Sequence, residues 1–136
     1  SRLDEIQAGL LRVRLSHIQE LTEERLRLAE NYTKGIHNSR IKLPQVRPGA
    51  DSVWHQYVIQ CEDRQELIDY LNQREIGTII HYPIPPHLSV AYAYLGNHKG
   101  SFPITEHDAD TVLSIPMYNG MTEEEQQEVI DSLNGF

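Results

Sequence analysis

The first 31 residues restrict the fold of this chain most, because they contain no proline and only one glycine, Gly9. Apolar residues recur there at spacings of three and four, the pattern of an amphipathic helix: Leu3, Ile6, Leu10 and Val13. A second apolar row runs beside the first and comprises Leu11, Leu15 and Ile18. The sequence therefore predicts one long helix from Leu3 to about Asn31, with more than one contact surface.

The length of this predicted helix is itself informative. About 30 residues that rise about 1.5 Å each would span about 45 Å. A globular chain of 136 residues has a diameter of only about 37 Å. The helix must therefore either bend between His17 and Thr22, or extend beyond the globule and pack on a surface that this chain does not supply.

Strand and helix patterns alternate in the rest of the chain. The first strand, 53–61, alternates, and its buried face is predicted to comprise Val53, His55, Tyr57, Ile59 and Cys61. A helix over 63–77 follows, with Asp63 and Glu66 as its capping box and Gly77 as its C-terminal stop. A short strand, 78–82, then ends at a proline.

Three further elements complete the pattern. The stretch 87–96 has helical spacing, and a short helix from 105 leads into a strand at 112–115. The last helix, 122–136, opens with a capping box and is predicted to bury Val129, Ile130 and Leu133. This order predicts an α+β fold, a long N-terminal helix plus a small, mostly antiparallel sheet covered by helices on one side. We expect residues 1–136 to form a single domain, with 1–34 as the long connecting helix and 50–136 as the small α+β part.

Charge and cysteine content exclude several classes of function. The formal net charge is −8, so the chain lacks the basic surface that nucleic acid or an anionic membrane requires. No apolar run approaches the roughly 18–20 residues of a membrane span. The single cysteine, Cys61, belongs to an apolar strand and is predicted to be a core residue. A chain without an internal disulfide suits the reducing cytoplasm.

The seven histidines raise the question of a metal-dependent hydrolase. Zinc ligands usually come in pairs about two to five residues apart. His81, His87, His98 and His107 are separated by six, eleven and nine residues. We therefore predict no metal site, and a histidine-dependent metal hydrolase is the least favoured interpretation.

The segment "HYPIPPH", 81–87, is the stretch with the most chemical character. Proline fixes φ and holds the residue before it in an extended form, so His81 and Tyr82 are presented in fixed directions at low entropic cost. Such a segment suits a loop that contacts substrate. Alternatively, His81 ends a strand and Tyr82 packs, and composition alone favours this second interpretation.

Three segments, taken in order, resemble the C-terminal part of the DegT/StrS-type aminotransferases: "SRLDEIQAGLLRVRL", "HYPIPPHLSVAY" and "FPITEHDADTVLSIPMYNGMTEEE". Each alone is weak, but their order and separations make the set specific, and the resemblance covers nearly the whole chain. It implies the small C-terminal domain of an aspartate aminotransferase fold, excised from a larger chain. The implied whole enzyme is a homodimer that uses pyridoxal 5'-phosphate (PLP) to aminate a nucleotide-linked keto-deoxysugar.

The resemblance also implies that the catalytic machinery lies elsewhere. In the family, the lysine that forms a Schiff base with PLP belongs to a large N-terminal domain, upstream of the "RLDE" helix. Lys34, Lys42 and Lys99 lack the flanking pattern of that lysine. The resemblance therefore implies no catalytic residue and no bound PLP in this chain alone, which is expected to be inactive without the missing domain.

Substrate-binding residues are implied for this chain. His81 and Tyr82 match family positions that line the sugar-nucleotide pocket, and His87 is a further candidate. Arg2 lies in the segment that family dimers place near the active site of the partner subunit. These four residues are the site residues that the resemblance implies.

A free-standing protein-interaction module is the alternative from a different class. The apolar row of the long helix would then pair with a partner or with itself, although it covers only about two heptads. The reading frame upstream of Ser1 distinguishes the two, because a lysine-bearing large domain there would support the aminotransferase.

Overall fold

The computed structural model describes residues 3–136. Their regular elements are, in order, helix α1 (Glu5–Ser16), helix α2 (Ile18–Gly35), strand β1 (Tyr57–Gln60), helix α3 (Arg64–Asn72), two 3-10 helices (Pro86–Leu88 and Val90–Leu95), helix α4 (Pro103–Thr111), strand β2 (Val112–Ile115) and helix α5 (Glu123–Gly135). The α+β class predicted from the sequence is confirmed. None of these helices has both the length and the apolar character needed to cross a membrane.

The predicted long helix is interrupted at His17, where α1 ends and α2 follows. His17 has φ and ψ of −108° and 7°, which are not helical values. The Ser16 hydroxyl donates to the Val13 carbonyl at 2.7 Å. A serine that takes a backbone carbonyl in this way weakens a helix locally. The prediction of a continuous helix is therefore wrong at this residue, the first of the region where a bend was expected.

Helix α1 contributes nothing to the core. Its first turn is capped by Asp4, whose carboxylate accepts from the N–H groups of Ile6 at 2.9 Å and Gln7 at 3.2 Å. No residue of α1 is buried, and Ile6 and Leu10 are 77% and 66% exposed. The predicted bend is therefore present, and the first half of the helix is exposed with its apolar rows bare. That another surface covers these rows stays a prediction.

The sheet is small and antiparallel, as predicted. Strand β1 pairs with β2, with Tyr57 opposite Ile115. Single antiparallel bridges extend the sheet on both sides, from Lys42 to β1 and from Ile79 to β2. The strand predicted over 78–82 is thus reduced to one bridge, because the prolines that follow lack the N–H needed to continue a ladder.

Strand β1 is shorter than predicted and begins at Tyr57. Its buried side chains are Tyr57 and Ile59, and Cys61 continues that face, fully buried. Val53 and His55 were expected on the same face but are exposed. The chain turns there, since Trp54 has a φ of +48°.

Helix α3 begins directly after Asp63, as predicted, but its cap and its C-terminal end differ from the prediction. Asp63 precedes the helix but makes no side-chain cap. Its carboxylate and that of Glu66 bind the Arg40 guanidinium instead, at 2.9 and 3.0 Å. The helix stops at Asn72, before Gly77, and the positive φ of Glu75, 60°, turns the chain away.

The core lies between the sheet and helices α2, α3 and α5. Fully buried side chains from these elements meet there: Tyr32, Tyr57, Ile59, Leu67, Leu71, Leu113 and Leu133. Helix α5 has the predicted capping box of Thr122 and Glu125, and it buries the predicted apolar residues. The stretch 87–96, predicted as helical, forms the two 3-10 helices and stays outside this core.

The first prediction compares two leucines that differ in burial. Leu113 is 0% exposed, so Leu113→Ala should lower the free energy of unfolding by about 2–5 kcal/mol, through lost burial and the cavity left behind. Leu10→Ala, in the bare α1, should change it by less than about 0.5 kcal/mol. Urea unfolding followed by circular dichroism measures both. Equal losses would contradict the exposed position of α1.

Candidate functional site

The sheet positions His81 at its edge. Ile79 pairs with Ser114 of β2 through two backbone hydrogen bonds, at 3.1 and 2.8 Å. Two residues further on, the His81 Nδ1 lies 2.9 Å from the hydroxyl of the same serine. The ring of Tyr82 stands edge-on to the His81 ring, with centroids 5.5 Å apart. The buried Ser114 therefore fixes both the backbone and the imidazole of this segment.

His81 and Tyr82 form one wall of an open depression of about 470 Å³. Tyr92 and the prolines of the same loop continue this wall. The opposite wall comes from one face of α4, with Thr105, Asp108 and Ala109. Tyr82 is 74% exposed, so its ring is available to a ligand. We call this feature the His81 depression.

The chemistry of the His81 depression is mainly aromatic and apolar, with few polar groups. Asp108 supplies a carboxylate, one oxygen of which accepts from the Gln60 amide at 2.7 Å. His81 also lines a second, smaller depression of about 190 Å³ beside β2. An apolar surface with a few fixed polar groups is suited to bind and orient a ligand.

His87 is placed differently from the other candidates. Its ring is buried, and its Nε2 lies 3.0 Å from the Glu106 carboxylate. The ring also packs edge-on against Phe102, with centroids 4.8 Å apart. His87 therefore faces α4 and does not line the His81 depression. Arg2, the fourth candidate, lies outside the described residues.

Glu106 collects several donors besides His87. The Gly100 N–H donates to both carboxylate oxygens, at 2.9 and 2.8 Å, and the Phe102 N–H donates at 3.2 Å. The bond from Gly100 is the largest of the effects that hold the pKa of Glu106 below its ordinary value. The carboxylate is thus ionised at neutral pH and joins α4 to the loop before it.

Sequence reasoning missed the residues that complete the site. Thr105, Asp108 and Ala109 were part of a predicted helix, but no role was assigned to them. Their spacing of three and four places them on one helix face, and that pattern was available from the sequence. No sequence pattern indicated a role for Glu106, because its partner His87 is 19 residues away along the chain.

The described residues do not fit PLP on their own. PLP requires a lysine activated in a desolvated site, whereas Lys34, Lys42 and Lys99 are all exposed. Lys34 is paired with Glu30 on the helix surface at 2.6 Å. Within residues 3–136, no three histidine, cysteine, aspartate or glutamate side chains are grouped so that they could hold a metal ion. Cys61 is buried, which raises the pKa of its thiol.

A small antiparallel sheet, the helices that pack with it in one core and an exposed N-terminal helix define an α+β domain. The model of the DegT/DnrJ/EryC1/StrS aminotransferase family matches residues 1–134. The chain belongs to this family, and the resemblance seen in its motifs is confirmed.

Individual relatives match over nearly the whole chain. The chain is 43% identical over 134 residues to the erythromycin biosynthesis sensory transduction protein EryC1 of Saccharopolyspora erythraea, covering 98% of this chain and 37% of that protein. It is 38% identical over 136 residues to the dTDP-3-amino-3,6-dideoxy-alpha-D-galactopyranose transaminase of Aneurinibacillus thermoaerophilus. This match covers 100% of this chain and 37% of that protein.

The fold of this chain also matches part of a solved structure. The X-ray structure of S. venezuelae DesV in complex with ketimine intermediate matches with a TM-score of 0.95 at 40% identity, over 98% of this chain and 36% of that chain. The chain thus spans little more than a third of the length of the curated relatives that it matches.

The second prediction concerns how the stability that Glu106 contributes changes at acidic pH. Because the folded pKa of Glu106 is lowered from 4.5, its contribution to stability is complete above pH 4.5 and is lost as the pH falls through the lower folded value. Glu106→Gln should therefore melt below the wild type at neutral pH, and the difference should shrink below pH 4.5. Thermal midpoints across this range measure it, with Glu128→Gln, exposed on α5, as the control. A difference that is independent of pH would contradict the assignment.

Proposed function

We propose that this chain is the small C-terminal domain of a PLP-dependent aminotransferase that acts on a nucleotide-linked keto-deoxysugar. The observation that carries the proposal is the close match, in sequence and in fold, to transaminases of amino-sugar synthesis along almost all of this chain but only about a third of theirs. Aminotransferases of this family use PLP, which supplies the electron sink for amino transfer. In this chain, residues bind and orient the sugar nucleotide.

The domain organisation follows from the same proposal. Residues 1–34 connect the small domain to a large N-terminal domain, which carries the Schiff-base lysine, and 50–136 form the small domain. The second half of the connecting segment also packs into the core, through Leu28, Ala29 and Tyr32. The exposed apolar rows of α1 are what a large domain or a second subunit would cover. The whole protein is proposed to be a cytoplasmic homodimer.

His81 and Tyr82 are the proposed substrate contacts. Ser114 holds the imidazole of His81 in one orientation, so it can bind a hydroxyl or phosphate oxygen without first being ordered. Tyr82 offers an exposed ring on which a planar or apolar group can stack. Arg2 is proposed to act near the active site of the second subunit. His87 is proposed to act on the substrate through the wall that it supports.

A free-standing interaction module is the second candidate, and the bare face of α1 is the observation that favours it. The two candidates differ in what the whole protein contains. A large domain with a PLP-binding lysine in the full-length gene product supports the aminotransferase. The absence of any such domain from that product would favour the module.

The third prediction tests the location of the catalytic lysine. This chain is incubated with PLP, reduced with borohydride and digested for mass spectrometry. We expect no site-specific adduct, because Lys34, Lys42 and Lys99 are exposed and none is enclosed as PLP chemistry requires. A stoichiometric adduct on one of them would overturn the proposed organisation.

The fourth prediction tests the proposed wall in the full-length protein, supplied with nucleotide-linked keto sugars and an amino donor. Tyr82→Ala should raise the KM for the sugar nucleotide about two- to twelvefold, since an aromatic contact contributes about 0.5–1.5 kcal/mol. The KM for the amino donor should change less.

The control for this prediction is Tyr118→Ala, because Tyr118 is 45% exposed and follows β2 outside the His81 depression. It should leave the sugar KM unchanged. Equal effects of the two variants would contradict a specific role of Tyr82. A wild-type protein that aminates no nucleotide-linked keto sugar would contradict the proposed function itself.

A further inference from the structure

Glu106 is the one charged residue that is buried among residues 3–136, with 9% exposure. Burying a carboxylate is costly unless hydrogen bonds replace its water. Glu106 has such bonds, from the N–H groups of Gly100 and Phe102 and from the His87 ring. A buried charge that is fully hydrogen-bonded holds its partners strongly, since moving any of them away would leave the carboxylate short of a hydrogen bond.

These donors come from two separate parts of the loop between the sheet and α4. His87 belongs to the first 3-10 helix, directly after the buried Pro85 and the exposed Pro86. Gly100, with a φ of +91°, and Phe102 lie just before α4. The single carboxylate therefore ties the start and the end of the loop to the same helix. The edge-on contact between the His87 and Phe102 rings reinforces this junction.

The same junction joins the two walls of the His81 depression. Pro85 and Pro86 line it from the loop side, next to His87. Thr105 and Ala109 line it from α4, and they flank Glu106 on that helix. The distance between the walls thus depends on how the loop is held to α4. Within the described residues, Glu106 is the charged group that makes this connection.

We propose that Glu106 is a positioning residue for the substrate site: by binding His87, Gly100 and Phe102, it holds the wall that carries Tyr82 at a fixed distance from α4. It touches no substrate and acts through His87. This inference rests on the proposed function, because the depression is taken to receive the sugar nucleotide. It explains why a histidine of the "HYPIPPH" segment is buried while its neighbours face the depression.

The test uses Glu106→Gln in the full-length protein. Glutamine keeps the size of the side chain but puts an N–H group where a second acceptor is needed. Glu24→Gln is the matched control. The carboxylate of Glu24 also binds a glycine N–H, that of Gly120 at 2.8 Å, and the Asn119 amide at 2.8 Å, but it joins α2 to a loop that does not line the depression.

Two readouts separate positioning from general stability. Hydrogen–deuterium exchange should become faster in peptides from 81–102 with Glu106→Gln, whereas Glu24→Gln should affect only peptides near its own loop. The KM for the sugar nucleotide should rise by about tenfold with Glu106→Gln, because small misplacements of binding groups are costly, and kcat should change less than twofold. If Glu106→Gln fails to fold, His87→Ala, which removes one donor, should give the same pattern at smaller amplitude.

Unchanged exchange in 81–102, or an equal rise in KM for the Glu106 and Glu24 variants, would overturn the inference. Faster exchange in 81–102 with an unchanged KM would also overturn it, since the wall would then not position substrate. A wild-type protein without amino-transfer activity would instead defeat the proposed function. In that case, the exchange comparison still decides whether Glu106 holds the wall.

Discussion

The contact between Tyr32 and Tyr57 is the interaction on which the rest of this structure depends. Both rings are 0% exposed, and their centroids lie 5.1 Å apart between α2 and the sheet. The Tyr32 hydroxyl donates to the Pro116 carbonyl at 2.7 Å, and the Tyr57 hydroxyl is 2.8 Å from that of Thr33. Because Pro116 directly follows β2, this contact fixes the strand that supplies Ser114 to the site. The bare α1 is connected to the core through α2, which directly follows it.

Apolar side chains are divided unevenly between the core and two exposed surfaces. One surface is α1, and the other is the loop of the His81 depression, where Tyr82, Ile84 and Val90 are strongly exposed. Exposed apolar areas of this kind are unusual unless another surface covers them. An enzyme whose site lies between domains needs both kinds, one to dock a domain and one to contact a ligand. In the proposed enzyme, both surfaces have one physical reason, since a second part of the protein would cover the first and complete the site at the other.

Local sequence signals predicted the elements that depend on local contacts. The capping box of α5 and the passage from α4 into β2 were predictable, since a cap and a change of period lie within a few residues. The region of the break at His17 was predictable from the helix length, but the exact residue was not. The turn at Trp54 was not predictable, because it depends on a positive φ. At the site, proline chemistry singled out Tyr82. The buried orientation of His87 depends on Glu106, a contact between distant residues that no local pattern specifies.

Several independent restraints act on the wall of the candidate site. Pro83, Pro85 and Pro86 restrict the backbone, Ser114 fixes one imidazole, and Glu106 fixes the other end of the loop. Ordering a flexible loop would cost about 0.5–1.5 kcal/mol for each side chain immobilised, and this loop avoids much of that cost. In the proposed enzyme the lysine chemistry is on another domain, so a rigid wall lets domain docking alone set the geometry of the pocket. The contribution of this chain to catalysis is then the shape that it presents to the sugar nucleotide, whereas the bond-making groups are supplied from across the interface.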